Sequence, residues 1–417
     1  MTTHISLTLL LGLLLGLFWC SVARFSQGKL IEIDNRKPRL DVDGNIINAH
    51  DGTYRRHGGY WYYHALEYGL CKEPPGKGCD GASAHGCGFH RDHNVSIWRS
   101  PDLSSGSWER RGTAVQCKEL AGCSILFRPH LVENKRTGRF VLFVNYVGDG
   151  NSYNGNAVYS ATHIEGPFTL ENPVMNLSRL CPGPLAKAPC GEAQGGCGDF
   201  DVMVDGDGAA YIAYGCNFYM SIERLTETFY DTAPRLPGGR SNASAGGRFG
   251  GTVFPDYFVE APAFFRRAGL YYLLYGHCCC FCLQGSGVIV YTAQHPMGPW
   301  TRQPGGDLAC VPAPAEELAP FPLPGAVPTP GQGCLYGGSS DISVTRAQQN
   351  FVIEVPLGTT TRTDDEESTF LWTGDLWQQA PDGVKGHEGQ YWYPLEFDSH
   401  GSIQKMKHLD RFQLRVP

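Results

Sequence analysis

The chain has 417 residues, 18% charged and 42% hydrophobic, with a formal net charge of -7 at pH 7. With no basic stripe to follow a phosphate backbone, no nucleic-acid partner is expected. The apolar content is that of a globular chain, so the 53 glycines and 28 prolines read as turns and not as disorder.

In chain order, the first element runs from Ile5 to Ala23, which carries no charged residue, is dominated by leucine and closes with Ser21 and Ala23 at cleavage-site spacing. It reads as a signal peptide over residues 1–23, so the protein is expected to be secreted. The absence of Lys or Arg before the run, and Arg24 and Lys29 after it, fit a retained membrane anchor as the alternative, although the run is short for a span. Membrane attachment is expected only if this segment is retained. The rest, 24–417, reads as one domain, longer than most but within the size that one ring of repeated sheets can reach. A monomer is the expectation.

Sixteen cysteines occur. With Cys20 in the leader, the odd remainder implies several disulfides and one unpaired or intermolecular thiol. Cys278, Cys279, Cys280 and Cys282 are too closely set for a zinc ribbon. The sequons at Asn94, Asn176 and Asn242 agree with luminal passage.

Past the leader, aromatic and β-branched runs recur, each followed by a second strand-like run and, in most copies, a turn bearing Trp or Phe. Tyr60–Tyr63 leads to Ser96–Leu103 and Trp108; Phe140–Val144 leads to Ala157–Ala161 and Gly166-Pro167-Phe168. Ala210–Tyr214 precedes Met220–Ile222, and Leu270–Tyr275 leads to Val288–Ala293 and Gly298-Pro299-Trp300. Phe351–Val355 and Phe370–Asp375 make a fifth copy, set off by the proline-rich stretch Pro312–Pro330, which reads as an exposed loop. A β-sandwich also has short strands, but it would not repeat this order. The expected fold is therefore all-β, a five-bladed β-propeller with a central axial pocket.

In such a ring, an acid at the start of several inner strands brings remote carboxylates into one pocket. Three stand there: Asp51 in Asn48-Ala49-His50-Asp51-Gly52, Asp199 in Gly198-Asp199-Phe200-Asp201, and Glu260 in Val259-Glu260-Ala261-Pro262. Asp51 beside a glycine also fits a turn, and Asp201, Asp205 and Asp207 read as hairpin-turn residues. Glu260 lies in an apolar run, where burial is costly without partners or a task.

These motifs, with Arg128-Pro129-His130, Thr137–Val141, Asp207–Tyr211, Trp372-Thr373-Gly374-Asp375 and Trp392–Phe397, resemble glycoside hydrolase family 43 over nearly the whole mature chain. The likeness is strongest to its exo-β-1,3-galactanases. The resemblance implies an inverting glycosidase acting on a polysaccharide or glycoprotein glycan of galactan, arabinan or xylan type. Glu260 falls on the proton-donating acid, and Asp199 on the acid that adjusts its proton affinity. The galactanases usually read His-Gly-Gly where this chain has His50-Asp51-Gly52, and a fifth-blade glutamine there handles the water. Asp51 and Gln348 are thus alternative holders of the water, with Asp51 favoured because a carboxylate accepts a proton readily. His50, Arg128 and Glu67 are candidate substrate contacts, with turn, ion-pair or capping roles as their alternatives. Trp377 and Trp392 are expected in the core. No cofactor is required, and a structural calcium ion on the axis is compatible with the resemblance, although no motif demands it. The alternative function is a carbohydrate-binding propeller that has lost catalysis.

Overall fold

The computed structural model describes residues 28–72, 94–148, 153–177, 198–216, 219–233, 249–253, 260–276, 285–312, 341–357 and 368–417. The leader, the Asn242 sequon, the Cys278–Cys282 cluster and the loop after Pro312 lie outside the described residues.

Five antiparallel sheets follow one another along the chain, each a meander that starts at the centre of the ring. Blade one has strands His50–His57, Tyr60–Leu66, Asn94–Ser100 and Glu109–Gln116. Blade two has Ile125–Asn134, Arg139–Val147, Tyr153–Ala161 and Thr169–Asn172. Blade three has Phe200–Val204, Ala210–Cys216, Tyr219–Arg224 and Phe249–Val253. Blade four has Glu260–Arg267, Leu270–Gly276, Ile289–Ala293 and Thr301–Arg302. Blade five has three strands, Gln348–Pro356, Ser368–Leu376 and Gly389–Pro394. Each inner strand contacts those of the blades before and after it, so the ring closes as a five-bladed propeller.

The aromatic runs are the second strands, and their composition follows from their place. A blade is covered on both faces by its neighbours, so the middle strands of blades two and four are buried almost throughout. The apolar side chains form five clusters, one in each seam. Tyr62 and Leu66 meet Leu142 and Val144 between blades one and two, for example, and Tyr211 and Ile222 meet Leu273 and Tyr275 between blades three and four. Each fully buried large side chain contributes about 1.5–3 kcal/mol.

The last seam is closed by the chain's ends. Lys29–Asp34 pairs antiparallel with Arg411–Val416, and Ile31, Ile33, Leu414 and Val416 enter the cluster between blades five and one. Beside this pair the Asn35 amide stands in for a fourth strand of blade five. It accepts from the Trp392 N–H at 2.9 Å and donates to the Trp392 carbonyl at 3.0 Å.

Four of the five inner strands carry the same irregularity, two residues opposite one in the middle strand. The bulged pairs are Asp51-Gly52, Arg128-Pro129, Ala261-Pro262 and Asn350-Phe351. The chemistry suits the position. Proline has no N–H to lose where the ladder is broken, and a Cβ on Gly52 would overlap the His64 carbonyl. Asp51, Arg128 and Ala261 take φ of 52°, 49° and 50°, the left-handed region that L residues enter at a cost. Blade three keeps regular register from Phe200 onward.

Among the described cysteines, Cys117 and Cys123 form a disulfide, and Cys71 and Cys310 are also disulfide-bonded. Asn176 is exposed, while Asn94 begins a strand of blade one. No helix of the described residues is long and apolar enough to cross a membrane.

Candidate functional site

The bulges turn their first residues toward the axis, where Arg128 is the hub. From blade two its guanidinium donates to the Phe200 carbonyl at 3.2 Å, the Pro262 carbonyl at 3.2 Å and the Asn350 carbonyl at 3.1 Å, one each from blades three, four and five. Its Nη1 lies 3.6 Å from Asp51 Oδ1 of blade one, and the group rests 4.3 Å above the Phe351 ring. All five blades thus meet through one side chain that is 2% exposed.

Three aspartates repeat one bond around this hub. Asp51 Oδ2 accepts the N–H of Arg128 at 2.8 Å, tying blade one to blade two. Asp199 Oδ2 accepts the N–H of Ala261 at 2.9 Å, tying blade three to blade four. Asp375 Oδ1 faces the N–H of Asp51 at 3.4 Å, tying blade five back to blade one. In each case the donor is the first residue of the next blade's bulge, an N–H that the broken ladder does not use. The Asp199 charge adds to the cost of ionising Asp51. Glu260 is the residue before the Ala261 bulge, so its backbone is adjacent to the N–H held by Asp199; its side chain lies outside the described residues.

Burial governs the acids. Asp51 is only 7% exposed, and loss of solvent raises its pKa well above the carboxylate range; the Arg128 cation opposes this, while Asp375 and Asp199 add to it. Burial likewise raises Asp375 to about 6, against hydrogen bonds from Gln390 and the Asp51 N–H.

The remaining expected contacts are disposed differently. Gln348 begins the inner strand of blade five, and its Oε1 accepts the Trp377 indole N–H at 2.7 Å. His50 is fully buried, stacked on Tyr68 at 4.3 Å, with Nε2 3.2 Å from the Gly386 carbonyl. It joins blade one to a loop of blade five that is held by the buried ion pair Lys385–Glu388 at 2.6 Å. Glu67 faces the outer strand of its own blade and pairs with Arg110 at 2.9 Å. Trp377 and Trp392 are buried, as expected.

Two readings from the sequence change. Asp205 and Asp207 do sit in a turn, but Asp201 lies within the inner strand of blade three, 2.7 Å from His130 Nδ1, and accepts the Phe264 N–H at 2.6 Å. Asp375, which the sequence offers only as part of a strand motif, belongs to the acidic cluster. Gln349, next to Gln348 but on the opposite face, donates to the Ala261 carbonyl and accepts from the Trp372 indole at 3.0 Å. No group of three or more His, Cys, Asp or Glu among the described residues is set to hold a metal ion. The inner strands of all five blades line a cavity of about 690 Å³ that takes in Thr53, His130, Asp201, Phe264 and Glu354 but not Asp51, Asp199 or Asp375.

The ring of five meandering blades is an architecture shared with solved glycoside hydrolases. The exo-β-1,3-galactanase of Phanerochaete chrysosporium in complex with β-1,3-galactotriose superposes with a TM-score of 0.60 at 19% identity, covering 92% of this chain and 68% of that one. A family 43 β-1,3-galactosidase with galactodeoxynojirimycin gives 0.61 at 20% identity, over 91% and 99%. The exo-β-1,3-galactanase of Clostridium thermocellum gives 0.61 at 20%, over 92% and 68%. No protein-family model matches the chain, and no curated protein matches its sequence.

Proposed function

We propose that the chain is an inverting glycoside hydrolase that removes sugars from the end of a β-galactan, or of a related arabinan or xylan-type glycan. The observation that carries this reading is the set of bonds that ties Asp51 to Arg128, Arg128 to the Pro262 carbonyl, and Asp199 to the Ala261 N–H beside Glu260. The shared fold with galactan-cleaving enzymes supports the substrate class.

Glu260 gives its proton to the departing glycosidic oxygen as the C–O bond breaks. A water attacks the anomeric carbon from the opposite face and passes its proton to Asp51, so the product has inverted configuration. Inversion needs room for that water, about 6.5–9.5 Å between the two carboxyls. Asp199 stays close to the acid and favours its protonated form by like-charge repulsion. Gln348, oriented by Trp377, is the alternative holder of the water. No cofactor enters the reaction. The leader-like segment and the disulfides support a secreted protein acting outside the cell.

A second reading is favoured by the structural use of the same acids. Asp51 and Asp199 each fasten the next blade, so the fold would retain them in a carbohydrate-binding propeller without catalysis.

Both readings are tested by assaying wild type and Glu260→Gln on β-1,3-galactan and aryl glycosides, with the product anomer followed by proton NMR. The expected result is an inverted product and a loss of about 10²–10⁴-fold in the variant. Undiminished turnover by Glu260→Gln would remove that residue from the mechanism. A folded wild type that binds galactan without cleaving it would establish the binding reading.

A further inference from the structure

We propose that Asp375 is a positioning residue of this site: from the middle strand of blade five it holds the Asp51 backbone and, through its charge, sets the pH at which Asp51 becomes available as a base. The inference rests on the hydrolase reading for its catalytic meaning and on geometry for its coupling.

Asp375 is opposite Gln348 on one side and Gln390 on the other. Its Oδ1 receives the Gln390 amide at 3.2 Å and faces the Asp51 N–H at 3.4 Å. Gln390 is itself fixed, accepting from the Tyr54 hydroxyl and donating to that of Tyr63, which donates to the Ala49 carbonyl at 3.2 Å. Tyr54 and Tyr63 stack at 3.9 Å. A carboxylate held by so complete a set of buried neighbours cannot swing away from Asp51.

The groups that set the charge balance come from every side. Blade one supplies Asp51, Tyr54, Tyr63 and Tyr68, blade two Arg128, and blade three Asp199. Blade five supplies Lys385, whose charge is matched by Glu388, and the segment before blade one supplies Arg39, stacked 3.7 Å over Trp392 and bonded to the Gln390 carbonyl. Of these cations Arg128 lies 3.6 Å from Asp51, and its charge acts on Asp375 as well. Two buried carboxylates sharing one arginine resist ionising together, so their proton affinities belong to the pair. Removing the charge of one lets the other ionise at lower pH.

The test is Asp375→Asn in the full chain. An asparagine oxygen still accepts from Gln390 and from the Asp51 N–H, so a purely structural role predicts an unaltered pH profile. Coupling predicts that the acid limb of kcat/KM moves down by about one pH unit, with plateau kcat within about fivefold of wild type. A substrate-free measurement separates this from the hydrolase reading: carboxyl-carbon NMR titration, with Asp51 assigned by its loss in Asp51→Asn. A downward shift of the Asp51 midpoint in folded Asp375→Asn supports the proposal, and an unmoved midpoint overturns it. Should Asp375→Asn not fold, the reciprocal holds: the Asp375 midpoint must fall in Asp51→Asn, and constancy there overturns the coupling equally. A shifted midpoint in a protein that cleaves no glycan would leave the pair standing and remove only the hydrolase reading.

Discussion

The seam between blades one and two and the seam between blades three and four are built on the same bond and differ in what the bonded residue carries. In both, an aspartate accepts the bulge N–H of the next blade, at 2.8 Å from Arg128 and at 2.9 Å from Ala261. Arg128 adds a guanidinium that spans the axis and faces Asp51, whereas Ala261 adds a methyl group. One backbone device therefore serves two purposes. It makes the first seam an electrostatic centre and the other a plain backbone tie beside the Glu260 backbone.

The comparison is broken most severely by Arg128→Ala. It frees the Phe200, Pro262 and Asn350 carbonyls and leaves Asp51 buried without its cation, a loss expected at about 3–5 kcal/mol in denaturant unfolding. Stability within 1 kcal/mol of wild type (about the same as experimental scatter) would mean the ring does not depend on the hub.

The next effect lies on the same seam. His64 is fully buried, with Nε2 3.0 Å from the Ile164 carbonyl of blade two, and burial pushes its pKa down from 6.5 to about 4. Below pH 6.5 the unfolded chain takes up a proton that the folded chain refuses until about pH 4. Stability should thus fall as pH drops through that window, by roughly 3 kcal/mol in all. His64→Gln should flatten this slope; an identical pH dependence would show that the imidazole is protonated in the fold.

The smallest effect belongs to the other seam. Ala261→Gly removes a buried methyl but relieves a φ of 50°, and Asp199 needs only the N–H. The two terms oppose, so the expected change is below about 1 kcal/mol. A loss well beyond that would show that the methyl itself matters to the seam.

The ring was legible because its second strands repeat an aromatic pattern that only a doubly covered sheet can accommodate. The bulges were half-written: proline inside a strand-like run, at Pro129 and Pro262, marks a place where a ladder N–H is dispensable. The hub was not legible, because Arg128 finds its acceptors on three other blades, and nothing local to Arg128-Pro129-His130 specifies them. Asp375 was hidden at the end of the apolar run Phe370–Thr373, where strand periodicity says nothing about the blade its side chain faces. Asp201 was obscured by the glycines that follow Asp205, which made the whole acidic stretch look like one turn. Two adjacent glutamines could be told apart only through strand alternation, with Gln348 turned to Trp377 and Gln349 to Trp372.

The pairing of Lys29–Asp34 with Arg411–Val416 also constrains how the molecule is made. During vectorial synthesis Lys29–Asp34 emerges long before Arg411–Val416, so the ring shuts only once that strand has left the ribosome. Until then Ile31 and Ile33 have no partner strand, and the open edge is a natural point for chaperone capture.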